Sequence, residues 1–506
     1  MSTPAEAAPS TDESLGPSAA AGQAAAGAAI AAGLTSPPRE PGPQGDVRHA
    51  RFATIAIASA LFMEFIDSTA LSTALPTLSR AFHTDPLHLK LALTSYILAL
   101  AVVAPASGWV ADRFGAKRVF MIAMGVFLAG SVLCGLSTSL TQLVLCRLLQ
   151  GAGGAMMTPV GRLIIVASTP RAELVSAMSW FTMPALIGPL LGPPIAGFVL
   201  GVADWPWIFY LNIPVCAAGL VAVWKLVPPR AEMDPGPFDL RGFVLAAIAI
   251  SALVSATETI GVHVFPLGVQ LALLAVAIIA SLAYVRHARR TAKPVLDLTL
   301  FKLPTYRASI LGGTLVRLGI GATPLLLPLL LQVALGWSPL KAGLISIWQS
   351  FGALSAKWAA PRFLKRFGFK PLLVLTVVAT GILTAVPGLF GTGTPLAAFI
   401  VVFVLSGFAR SNQFTAANTI SYADVPGPRV SNASALSTVT QQVGLTLGVS
   451  FGGAVLALAK GSPGTPLTAD RFLLPYLAVG FTTFLALPVY LRLPASAGAS
   501  LRGEKK

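Results

Sequence analysis

The sequence predicts an all-α polytopic membrane protein made of two related six-helix bundles and two extra helices. Three observations carry this expectation. Only 11% of the 506 residues are charged and mean hydropathy is +0.77, whereas soluble globular chains carry roughly 25% charged residues. Many apolar runs reach the roughly 20 residues that a helix needs to cross about 30 Å of hydrocarbon. Two short motifs also return about half a chain later. Ten-residue stretches of alternating apolar and polar residues are missing, which argues against a membrane β-barrel.

Residues 1–50 are rich in Ala, Pro, Gly and Ser, with almost no aromatic or large aliphatic groups. Such a segment buries too little surface to fold and is expected to be a disordered cytoplasmic tail. It has no compact apolar core behind a basic start, so the first span, and not a cleaved signal peptide, is expected to direct insertion. Fourteen apolar segments follow, at about 52–78, 91–111, 119–137, 140–166, 174–201, 206–227, 242–261, 266–285, 308–333, 342–360, 371–390, 396–421, 433–459 and 472–491. An even count puts both termini on one side. With that side inside, inner segments hold 26 Lys and Arg and outer segments hold 5 (Arg80, Lys90, Lys341, Lys460 and Arg471). Basic residues collect in cytoplasmic loops, so both ends are expected in the cytoplasm of a bacterial inner membrane.

The net charge of +16 has the same explanation, and no nucleic-acid partner is expected. Cys134, Cys146 and Cys216 lie inside apolar runs, with no metal-ligand or disulfide spacing. No cofactor, metal or catalytic constellation is expected, and the protein is taken to be a monomer.

Asp112-Arg113-Phe114-Gly115-Ala116-Lys117 returns as Lys365-Arg366-Phe367-Gly368-Phe369-Lys370, 253 positions later. Pro170-Arg171 with Ser176-Ala177-Met178-Ser179 returns as Pro428-Arg429 with Ser434-Ala435-Leu436-Ser437, 258 positions later. Two matches at nearly one spacing indicate related halves, segments 1–6 and 9–14, with segments 7 and 8 inserted. The expected organisation is a tail at 1–50, bundles at 51–228 and 291–495, a linker with two helices at 229–290, and a tail at 496–506. Duplicated halves place a substrate site at their interface near the midplane; a static bundle is the alternative.

Several further motifs are specific. Segment 1 reads Asp67-Ser68-Thr69 and then Ala74-Leu75-Pro76, and segment 4 reads Arg147-Leu148-Leu149-Gln150-Gly151. The loop after segment 2 reads Gly108-Trp109-Val110-Ala111-Asp112-Arg113-Phe114-Gly115-Ala116-Lys117-Arg118. Segment 5 reads Gly188-Pro189-Leu190-Leu191-Gly192-Pro193-Pro194-Ile195-Ala196-Gly197. Trp205-Pro206-Trp207-Ile208-Phe209 and Asn212-Ile213-Pro214 follow. Over about residues 52–492 the chain resembles the major facilitator superfamily, and within it the fourteen-span drug:proton antiporters of the EmrB/QacA type. The resemblance implies the major facilitator fold. It also implies a loop motif that stabilises one conformation (Gly108, Asp112, Arg113, Gly115, Lys117) and an antiporter helix motif (Gly188, Pro189, Gly192, Pro193, Gly197). In the second half Lys365 replaces Asp112, so the acidic contact of the loop is expected in the first half alone.

Glu64 and Asp67 are the two acidic residues deep in a span; Glu258 is near an outer end. An ionised carboxylate in hydrocarbon is costly and usually marks function, and two residues three apart share one helix face. Proton coupling by Asp67, Glu64 and Arg147 is one reading, and a structural ion pair is the other. Asp67 and Arg147 lie within about one helical turn in depth. Alternation between a guanidinium partner and apolar surroundings changes a carboxylate's proton affinity, which makes a workable switch. Arg317 and Glu64 sit at similar depths, so a contact between them would join the halves. Arg410, Asn412 and Gln413 add polar groups to a substrate cavity or to helix–helix hydrogen bonds. The segment 294–302 either lies along the cytoplasmic surface or is a linker.

The function expected is proton-coupled export of small amphiphilic molecules, with protons, a small-molecule substrate and the lipid bilayer as partners. A symporter or a narrow metabolite exporter on the same fold is the alternative. An ATP-driven pump is not expected, because no G-x-x-x-x-G-K-[ST] loop occurs. A membrane sensor is a further class. Mid-span charge, two acids against Arg147, Arg317 and Arg410, leans toward neutral or anionic substrates.

Overall fold

The computed structural model describes residues 47–169, 177, 180, 181, 183–228, 236–258, 266–426, 429–461, 465–494, 497 and 498. Every regular element among these residues is helical. The principal helices, in chain order, are α1 Val47–Ala81, α2 Lys90–Val103, α3 Ala116–Gly135, α4 Leu140–Ser168, α5 Pro184–Val202, α6 Asn212–Leu226 and α7 Leu240–Glu258. They continue as α8 Leu267–Ala288, α9 Pro304–Gly321, α10 Pro339–Phe367, α11 Phe369–Ala385, α12 Leu396–Ser421, α13 Val430–Lys460 and α14 Leu473–Phe484. Residues 47–50, expected in the tail, open α1. The remaining N-terminal tail, the Pro170-Arg171 motif and most of the C-terminal tail lie outside the described residues.

Twelve helices among the described residues are long and apolar enough to cross a membrane. These correspond to twelve of the fourteen expected segments. The two others are helices of different character. The apolar part of α5 is shorter, Ile187–Val202. Helix α10 is 29 residues long but carries Lys341, Lys357, Arg362 and Arg366 among its apolar residues. Both are interfacial: α5 packs against α1 and α10, and α10 against α5 and α12. A helix flanked by protein on two sides needs less apolar surface than one facing lipid.

Helices α1–α6 pack among themselves, as do α9–α14, and the two groups meet along α5–α10 and α2–α13. The inserted α7 packs on α8, α13 and α2 and so lies over the second seam. Helix α8 instead turns Leu271, Leu274, Ile278, Ile279 and Leu282 outward, as a lipid-facing helix should.

The repeated loop motif has one geometric requirement in common. Gly115, between Phe114 and α3, has φ +85°, and Gly368, between α10 and α11, has φ +79°. Both turns need a backbone conformation that L side chains rarely adopt. The 294–302 segment is an ordered linker between α8 and α9. Asp297 caps a 3₁₀ turn at Leu298–Lys302, Leu300 is buried, and the Tyr284 hydroxyl donates to the Leu296 carbonyl at 2.7 Å. Arg429 at the start of α13 donates to Asp297 Oδ2 at 2.7 Å and anchors the strap.

A buried charged cluster as the candidate functional site

Asp67 stands mid-way along α1, and two helices, α4 and α6, bring polar groups to it. Arg147 Nη1 in α4 donates to Asp67 Oδ2 at 2.5 Å. Gln150 Nε2, one turn further along α4, donates to Oδ1 at 2.9 Å. Asn212 Nδ2, the first residue of α6, also donates to Oδ1 at 2.9 Å. Asn212 is itself held by Ser131 Oγ of α3 at 2.8 Å, and Ser131 donates to the Phe209 carbonyl at 2.9 Å. The guanidinium lies 4.3 Å from the centre of the Tyr96 ring, a cation–π contact from α2. Asp67, Arg147, Gln150, Asn212 and Ser131 are each at most 2% exposed. An ion pair this deep needs further hydrogen bonds; Asp67 has them from Gln150 and Asn212, while Arg147 Nε is left without a partner.

The depth argument for Asp67 and Arg147 therefore ends in a direct contact. Sequence reasoning quoted Gln150 and Asn212 within motifs without a role, and passed over Ser131 and Tyr96. A signal was present for Gln150, because residues three apart on a helix share a face. Nothing local marks Ser131, whose part depends on how α3 packs.

Glu64, one turn before Asp67, is 7% exposed, and Thr158 Oγ1 of α4 donates to its Oε2 at 3.3 Å. The contact between Glu64 and Arg317 that would join the halves is not made. Arg317 instead donates to Asn418 Oδ1 at 3.3 Å and stacks 5.0 Å from the Phe414 ring centre, both on α12. Equal depth along two helices does not fix which faces the side chains take. Gln413 likewise stays within its own bundle, accepting from Thr376 Oγ1 at 2.5 Å and donating to Tyr490 Oη at 3.1 Å. Asn412 Nδ2 donates to the Phe408 carbonyl at 2.9 Å. Arg410 donates to Thr323 Oγ1 at 3.1 Å and Thr384 Oγ1 at 3.4 Å.

The motif of α5 has two working faces. Gly188 sets its backbone against α1, where an added Cβ would lie 3.2 Å from the Phe65 carbonyl carbon. Gly192 faces the same stretch, 3.2 Å from the Ile66 carbonyl oxygen by the same measure. Gly197 faces α10, where a Cβ would lie 2.6 Å from the Pro339 carbonyl oxygen. Pro193 has no N–H, so the Pro189 carbonyl lacks its helical partner. Ser350 Oγ of α10 donates to it at 3.3 Å, across the seam. In the loop motif, Lys117 Nζ donates to the Trp224 carbonyl at 2.7 Å, tying α3 to the end of α6. Gly108 has open space around it, Arg113 is exposed and Asp112 half-buried.

Contacts between the bundles gather at the end bearing the 81–90 turn. Lys460 of α13 pairs with Asp85, and Gln332 Nε2 donates to the Thr73 carbonyl of α1 at 2.8 Å. Lys90, taken from sequence as an outer loop charge, is fully buried and faces Glu258 of α7 at 3.8 Å. Ser450 of α13 donates to the other oxygen of Glu258 at 2.6 Å.

Two helical bundles joined along α5–α10 and α2–α13, with a buried charge network in the first, define a polytopic membrane protein of two-bundle type. The chain belongs to the major facilitator superfamily, whose pattern matches residues 57–305 and 309–506. It is 36% identical over 446 residues to a Pectobacterium atrosepticum protein that bears the name multidrug resistance protein MdtD, covering 87% of this chain and 94% of that one. The protein of the same name in Escherichia coli O157:H7 is 35% identical over 445 residues, covering 87% and 93%. Among solved structures, a peptide transporter, POT, superposes with TM-score 0.66 at 17% identity, covering 95% of this chain and 99% of its own. The nucleoside transporter NupG superposes with TM-score 0.61 at 16% identity, covering 87% and 99%. At these identities the structures speak for the fold alone.

Proposed function

We propose that this protein is a proton-coupled secondary transporter that exports small amphiphilic molecules, in the manner of multidrug efflux by proton antiport. The observation that carries the reading is the Asp67–Arg147 pair with Glu64 beside it, buried in one bundle of a two-bundle transporter fold. The names of the MdtD relatives support the substrate class. Protonation of Asp67 would remove the charge that holds Arg147 and two amide groups, loosening α1 from α4 and α6. That is how one proton could bias the packing of a bundle. Glu64, held by one hydroxyl of α4, is the second carboxylate of the coupling site.

The proposed topology has fourteen spans, with α5 and α10 included as interfacial helices and both termini in the cytoplasm. The paired ends at the 81–90 turn then face outward, so this conformation is closed on the outside. In that reading the loop motif stabilises one conformation and the α5 motif forms the sliding seam. Transport of a fluorescent amphiphile into inverted vesicles tests the function. It should collapse with a protonophore and proceed without ATP. Uptake that survives the protonophore yet requires ATP refutes the proposal.

A further inference from the structure

The second bundle holds a counterpart of the Asp67 site that lacks the acid. Gly151 in α4 lets α4 approach α2, where a Cβ would lie 2.6 Å from the Tyr96 carbonyl oxygen; Gly407 in α12 lets α12 approach α10, where a Cβ would lie 3.0 Å from the Ala353 amide nitrogen. The two glycines are 256 positions apart, within the 253–258 spacing of the repeated motifs. The same 256-residue step takes Asp67 to Thr323, and a 253-residue step takes Ser131 to Thr384. Thr323 and Thr384 are the two side chains to which Arg410 donates. The arginines themselves are 263 positions apart, so Arg410 stands about two helical turns beyond the position that the 256-residue step gives for Arg147, yet each bundle brings a guanidinium to these paired positions. In the first bundle it meets a carboxylate, and in the second it meets hydroxyls.

Hydroxyls satisfy donors but supply no charge, and a guanidinium keeps its proton in proteins. Among the described residues Arg410 has no acidic partner. A charge at mid-membrane depth without a counter-charge is strongly disfavoured. Beside it lies a small cavity lined by four apolar side chains, Phe403 among them, and by Thr323, Gln349, Thr384, Ser406, Arg410 and Tyr476, with room for one small body. Two polar atoms on its lining side chains have no partner, Arg410 Nε and the Tyr476 hydroxyl. Tyr476 is 2% exposed. Both unmet atoms are N–H or O–H groups able to donate, and the cavity admits a monatomic occupant in preference to a branched one.

We propose that the second bundle binds a halide-sized monovalent anion, chloride foremost, between Arg410 and the Tyr476 hydroxyl, in the place that Asp67 occupies in the first bundle. The site does not depend on the transport reading, because the anion balances a charge that the fold buries. Its test therefore uses stability. The purified full chain in detergent is titrated with sodium chloride against sodium gluconate at constant ionic strength, and the unfolding midpoint is followed. Chloride should raise the midpoint saturably. Tyr476→Phe, which keeps the ring and removes one donor, should weaken the apparent chloride affinity about tenfold. Thr323→Asp should supply the charge internally, abolishing the chloride response while holding the midpoint at or above that of the chloride-saturated protein. In crystals soaked in bromide, an anomalous peak should lie within hydrogen-bond distance of Arg410. Equal midpoints in chloride and gluconate overturn the proposal. So does a chloride response left intact in Thr323→Asp, or one that acetate reproduces in full.

Discussion

At the scale of single residues, the cluster around Asp67 is held together by charge balance. Removing one member of a buried pair leaves the other uncompensated, at a cost of about 3–5 kcal/mol. Asp67→Asn should therefore lower the amount of folded protein, and Asp67→Asn with Arg147→Gln should restore it. Neither variant should release protons when substrate is added, because Asn does not titrate near neutral pH. Proton release at the wild-type level from the double variant would move the coupled proton to Glu64. Asp297 acts differently, as an anchor outside the spans. Burial pushes its carboxyl up, but hydrogen bonds from Thr299 and Arg429, with the Arg429 charge, outweigh this and hold it below the usual carboxylate range. A depressed carboxyl contributes stability that is present above the unfolded-chain value of about 4 and is lost as pH falls through the folded value. Asp297→Asn should cost about 1 kcal/mol at pH 7, since its partner is partly solvated. The difference in unfolding midpoint from wild type should narrow as pH drops toward about 3. A difference that widens toward acid would contradict this account.

At the scale of elements, α5 and α10 depart furthest from a simple apolar span, and they form the seam between bundles. Their contact is backbone against backbone, at Gly197 with Pro339 and at Gly343 with Pro194, where a Cβ on Gly343 would lie 3.1 Å from the Pro194 Cα. Backbone cannot rotate aside as a side chain can. Gly197→Leu should therefore insert normally but reduce export at least tenfold by forcing the helices apart at this end. Gly201→Leu, on the same helix and with open space around it, should leave this conformation intact and serves as the control. Normal export from Gly197→Leu would show that the seam is not required to close here. The repeated loop motif was legible because a glycine at positive φ is needed in both halves. The helix count was legible to twelve apolar spans, and α5 and α10 blur it because neighbouring protein takes the place of lipid around them.

At the scale of the whole molecule, the bundles are held together at one end by pairs far apart in sequence. Burial pushes the Asp85 carboxyl up, yet the Lys460 ammonium and the Leu87 amide hold it below its ordinary range. If this end must part for release, a disulfide between Asp85→Cys and Lys460→Cys should stop transport, and reductant should restore it. Transport by the fully cross-linked protein would place the moving gate elsewhere. The inserted α7 contributes to the same end through Glu258, which meets one residue from each bundle, Lys90 and Ser450.

The sequence by itself determined that the chain is helical and embedded in a membrane, and it singled out a repeated loop motif and the charges of Asp67 and Arg147. These follow from quantities local to the chain: hydropathy over about twenty residues, motifs recurring at one spacing, and a charge standing in an apolar run. Tertiary structure alone decided the partners. It gave Asp67 to Arg147, Gln150 and Asn212, turned Arg317 toward Asn418 and away from Glu64, and buried Lys90 against Glu258. Depth along a helix can be counted from sequence at about 1.5 Å per residue. The rotation of each helix about its axis, and so the neighbour each side chain meets, is set by packing among many helices at once.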